Sequence, residues 1–166
     1  MKPRSRVRHK GRSESGGTFT AFPHAIQDCA NWRLCSATAI KMLCDVARQY
    51  NGRNNGDLCA ALSVLRPYGW NSPETVLWAL RELRHHGFLL LTRQGGLNGP
   101  SLYAVTWKPI DECGGKLTCA KPSPIAPGDW KEPREPFKRP RKKQNTSTPS
   151  VADRYAIRSS ESKKAA

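Results

Sequence analysis

The stretch that decides how this chain is read is NSPETVLWALRELRHHGFLLLTRQGGLNGPSLYAVTW, residues 71–107. Ser72-Pro73-Glu74 spells a helix start: a serine that caps, a proline in the first turn where its missing amide hydrogen does no harm, and a glutamate at the positive end of the dipole. Behind it Val76, Leu80 and Leu83, with Leu77 and Ala79 beside them, form one apolar face at three- and four-residue spacing. Thr75, Trp78, Arg81, Glu82, Arg84 and His85 fall on the opposite side. Gly87 closes the helix. Residues 88–93 read as a strand, Gln94 to Pro100 with its three glycines as a loop, and residues 101–107 as a second strand.

Upstream, Arg66-Pro67-Tyr68-Gly69-Trp70 must interrupt any helix, because proline lacks the amide hydrogen and restricts the residue before it. The residues ahead of it predict a helix capped by Asp57 or Asn55, with Leu58, Ala61, Leu62 and Leu65 buried. Only residues 67–71 then separate two helices, which forces a tight helix-turn-helix. Further back, Ser36 caps a first core helix whose Ala39, Ile40, Leu43, Val46, Ala47 and Tyr50 share a face, ended by Asn51-Gly52. Order is expected to begin at Phe19 and Phe22, with a short helical turn from Pro23 to about Cys29.

The flanks differ in kind. Of the net charge of +15, residues 1–17 carry +5, residues 18–108 carry +4 and residues 109–166 carry +6, so most of the excess lies outside the part that reads as folded. Residues 1–17 predict a disordered basic arm with Arg4, Arg6 and Arg8 among its cations. Residues 109–166 predict a disordered, proline-rich basic tail with no further core, bearing the run Lys138, Arg139, Arg141, Lys142 and Lys143. Such a balance points to a polyanionic partner, of which nucleic acid is the commonest. The six cysteines form no CxxC pair, and no metal ligands are expected. His85 and His86 are accounted for by the helix dipole. No signal peptide or membrane span is legible, so a cytoplasmic, nucleoid-associated location is expected.

The two helices and the ribbon together resemble the winged helix-turn-helix superfamily, and in particular small helix-turn-helix proteins of bacteria, phages and mobile elements. The matching features are YNGRNNGDL (50–58), TVLWALRELRHHGF (75–88) and SLYAVTW (101–107). This sequence departs in carrying Pro67-Tyr68-Gly69-Trp70 before the second helix. The resemblance implies a mainly α domain over residues 18–108 with a small β-hairpin, and duplex-DNA binding in transcription regulation or replication. A reading helix contacts bases from the N-terminal half of its exposed face, which makes Asn71, Ser72, Glu74, Thr75, Trp78 and Arg81 the expected base contacts. Arg53, Arg93, Gln94 and Asn98 are the expected backbone and wing contacts. No P-loop, GxSxG or HExxH is present, so neither catalysis nor a cofactor is expected. The alternative is a winged-helix interaction module that recruits an acidic protein through its basic tails. Monomer and weak dimer both remain open.

Overall fold

In the computed structural model, residues 19–140 other than Asn98 are described. They form five helices and a small three-stranded antiparallel sheet. In order these are α1 (His24–Gln27), α2 (Ala30–Leu34), α3 (Ala37–Ala47), β1 (Leu58–Cys59), α4 (Leu62–Leu65), α5 (Pro73–His85), β2 (Leu89–Arg93) and β3 (Leu102–Val105). No helix among the described residues is long and apolar enough to cross a membrane.

Both long helices begin where the sequence places their caps. The Ser36 side chain accepts from the Ala39 amide and the Ser72 side chain from the Thr75 amide. The α3 face buries Ala39, Leu43, Val46 and Ala47 as read from the spacing, together with Met42, while Ile40 and Tyr50 are only half-buried. On α5, Val76, Ala79, Leu80 and Leu83 face the core. Two assignments there are corrected. Leu77 is 45% exposed, and Glu82, placed outward by the spacing, is buried at 6% exposure. Its carboxylate accepts from the Ser36 amide at 2.6 Å and from the Ser36 hydroxyl at 2.9 Å, so the start of α3 holds it inside.

The expected helix from Asp57 is corrected as well. Leu58 and Cys59 are a strand, added to the free edge of β3 in the sheet order β1-β3-β2. The Gln49 amide brackets Cys59 from the other side, donating to its carbonyl and accepting from its amide, which stands in for a further strand. Asn55 caps nothing. It is fully buried, donating to the carbonyls of Val105, Lys108 and Pro109 and accepting from the Val105 amide. Helix remains only at α4, followed by a 3-10 turn over Arg66–Tyr68. Gly69 then takes a left-handed conformation, φ 87°, and swings Trp70 into the core with its indole N–H on Asp45 at 2.7 Å.

The hairpin carries a bulge at Thr92, between the pairs Leu91–Tyr103 and Arg93–Leu102. The Thr92 hydroxyl donates to the Gly56 carbonyl, and its own carbonyl accepts from the amides of Thr118 and Cys119.

Residues 109–140 overturn the expectation of a coreless tail. Ile110 is buried and pairs with Ser123. Trp130 packs against the hydrophobic core, and Asn31, itself buried, donates to the carbonyls of Trp130 and Glu132 and accepts from the Arg134 amide. Each proline removes one amide donor from this segment. Several of its amides bond to carbonyls far away in sequence, Asp111 to Asn55, Thr118 and Cys119 to Thr92, and Gly128 to Thr106, so the segment packs without forming a regular ladder.

Candidate nucleic-acid interface

α5 positions most of the residues expected to read bases, and its cap sets their orientation. A helix of 13 residues is about 20 Å long. Glu74, Trp78, Arg81 and His85 lie along one line of it at four- and three-residue steps. Asn71 and Ser72 are exposed at its start, but the Ser72 hydroxyl is committed to the cap. Thr75 is half-buried and lines a shallow depression with Thr38, Lys41 and Trp70.

Trp78 has a partner that was not foreseen. Phe137 lies 6.4 Å from it, centroid to centroid, and 5.5 Å from His85. Two side-chain-to-main-chain bonds just ahead of Phe137 hold the contact. Arg134 Nη1 donates to the His85 carbonyl at 2.7 Å, and His85 Nε2 meets the Glu135 carbonyl at 2.7 Å. Residues 134–139 therefore run as a strap over the middle of the outward face. Trp78 is half-buried against this strap.

The strap brings cations with it. Arg81 lies over the Trp78 ring at 4.8 Å and Arg139 at 5.9 Å, so two guanidiniums share one indole. Arg81, Arg84, His85 and Arg134 line a groove of about 520 Å³ between α5 and β2, with Asp129 as the acidic residue in its wall. Arg81, Arg84, Lys138 and Arg139 are exposed. The result is a cationic surface on one side of the helix, assembled from α5 and from a segment some fifty residues later in the chain.

The hairpin loop lies beside the same helix, because Pro100 and Ser101 share a cleft with Pro73, Leu77 and Leu80. Arg93 does not project from it. Its Nε and Nη2 donate to the Pro100 carbonyl at 3.3 and 3.1 Å, bracing the loop from within. Gln94 is exposed at the loop. Arg53 is not with the wing: it lies two residues before Asn55, at the end of β3 remote from the loop. Asn98, Arg4, Arg6, Arg8, Arg141, Lys142 and Lys143 lie outside the described residues, as do the arm assigned to 1–17 and the part of the 109–166 tail beyond Pro140.

A second cluster occupies the buried flank of α5. Cys35 Sγ, a Glu82 carboxylate oxygen and a His86 ring nitrogen lie within 4.8 Å of one another. His86 is fully buried, and neither ring nitrogen has a hydrogen-bond partner among the described residues. Burial, then the negative charge of Glu82, then Cys29 push the Cys35 thiol up to about 12. Burial chiefly, with His85 adding to it, lowers His86 below the ordinary imidazole value. These three donors are the ones suited to a metal ion. Spacing did not reveal them, since Cys35 has no CxxC partner and His86 follows a helix end.

Comparison with protein-family models, with curated proteins and with solved structures gave no match.

Proposed function

We propose that residues 36–107 form a winged helix-turn-helix unit with α5 as its reading helix. In this reading the protein binds duplex DNA without catalysing a reaction on it, as a transcription regulator or replication-associated factor. The order helix, strand, short helix, reading helix and two-strand ribbon supports the fold reading, with β1 closing the free edge of the ribbon. The observation that carries the function is the convergence of Arg81, Arg84, Arg134 and Arg139 on the outward side of α5, next to the hairpin loop. Phosphates favour planar guanidiniums, and a helix with a flanking loop matches the width of a major groove and its edge.

In this reading the base contacts shift toward the exposed arginines of α5. Arg81 and Arg84 are exposed on the outward side of α5, whereas Trp78 and Arg93 are engaged internally. One bidentate arginine–guanine contact is worth about 1–3 kcal/mol of base discrimination. Selection from a random duplex pool, followed by anisotropy titration of the winner at low salt, tests the reading. An enriched motif that weakens on Arg81→Ala supports it, and failure to shift any duplex at low salt overturns it.

A second reading has its own observation: Leu77 is 45% exposed and Leu97 at the hairpin tip is fully exposed. Apolar side chains beside a cationic face suit an acidic protein partner. Such binding would respond to Leu77→Ser, and DNA binding would be far less sensitive to that change than to Arg81→Ala.

A further inference from the structure

A fully buried histidine whose two ring nitrogens have no partner among the described residues needs an explanation, because buried polar groups are mostly satisfied. A thiol and a carboxylate converge on the same point. We propose that Cys35, Glu82 and His86 bind a zinc ion that pins the start of α3 to the end of α5.

The chemistry of the donor set selects the metal. Sulfur and imidazole together favour zinc over magnesium or calcium, which take oxygen ligands. Zinc ligands stand about 2.0–2.3 Å from the ion, so donors within 4.8 Å of one another close on it through small side-chain rotations. Charge also fits. On binding, the Cys35 thiol loses its proton to solvent, and one thiolate, one carboxylate and a neutral imidazole cancel the charge of the divalent ion. A buried ion site without net charge escapes the large desolvation penalty of an unpaired one.

The surrounding residues supply what such a site needs beyond its ligands. Ser36 donates through both its amide and its hydroxyl to the two oxygens of Glu82, and each oxygen keeps a lone pair for the ion. Cys35 and Ser36 are adjacent, so one dipeptide supplies a ligand and orients another. Glu82 and His86 are four residues apart and share a side of α5. Cys29, at the start of α2, is near enough for its negative form to raise the Cys35 thiol. The proposal stands apart from the nucleic-acid reading, because it is tested with no DNA present.

The full-length chain, purified reduced and stripped with a chelator, is titrated with zinc chloride in competition with a chromophoric chelator, and in parallel with cobalt(II) chloride. One equivalent of zinc per chain is expected. The cobalt form should show a thiolate-to-cobalt charge-transfer band. Cys35→Ser and His86→Gln should weaken binding by more than about 100-fold, and Ser36→Ala, which removes an outer partner, by about 10–100-fold. Cys44→Ser, at an exposed cysteine, should bind as the parent does. Should the buried variants fail to fold, X-ray absorption on the zinc-loaded parent decides, with sulfur alongside nitrogen and oxygen expected around the ion. No zinc bound, undiminished binding in a folded Cys35→Ser protein, or a shell without sulfur would each overturn the proposal.

Discussion

Replacing Arg81, Arg84 and Arg139 together by glutamine tests whether the cationic face meets phosphate. All three are exposed, and the bonds that dock the strap belong to Arg134 and His85, so the fold should survive the change. Each phosphate neutralised contributes about −0.9 to the slope of log K against log salt, so three lost contacts should flatten that slope by about 2.7. Between 50 and 200 mM salt the parent should therefore lose about 40-fold more affinity than the variant. The assay is fluorescence anisotropy on one labelled duplex across a potassium chloride series, with far-ultraviolet circular dichroism as the folding control. A companion variant with Arg4, Arg6 and Arg8 changed to glutamine should flatten the slope without altering sequence preference. If the triple variant of the α5 face keeps the parental slope, those arginines do not touch phosphate, and the reading helix has been assigned to the wrong surface.

The other predictions concern what holds that face in place. Asn55→Ala removes the side-chain bonds to Val105, Lys108 and Pro109 and leaves buried main-chain groups unsatisfied, a loss of about 3–5 kcal/mol. Urea unfolding followed by circular dichroism measures it, and a loss below about 1 kcal/mol would contradict the hydrogen-bond accounting. Gly87→Ala places a Cβ 2.6 Å from the Asp129 carbonyl at a φ of +74°. It should cost about 2 kcal/mol or more, and trypsin should cut faster at Lys131. Phe137→Ala removes an aromatic contact worth about 0.5–1.5 kcal/mol. Hydrogen exchange over residues 134–139 should then rise while α3 stays protected; unchanged exchange would mean that the strap is held by its hydrogen bonds to His85 and Asn31 alone.

What the sequence determined by itself is local. Ser36 and Ser72 cap their helices, Gly87 ends α5, and the runs on either side of the glycine loop pair as a hairpin, because each of these depends on residues within a few positions of one another. The apolar face of α5 was legible for the same reason, down to Val76, Leu80 and Leu83. Tertiary structure decided the rest. Leu58 and Cys59 carry a helix-compatible pattern but become a strand, because the edge of β3, more than forty residues on, offers hydrogen bonds that four residues of helix do not. Glu82 reads as a solvated charge until Ser36, 46 residues earlier, donates to it. The proline-rich segment has no periodicity to read, and it is fastened by hydrogen bonds reaching back about 50 and 100 residues, to His85 and to Asn31. The surface proposed to meet DNA is therefore only half written in α5; Arg134 and Arg139 join it because Phe137 and Trp130 find apolar partners in a domain that was complete, by local pattern, thirty residues before.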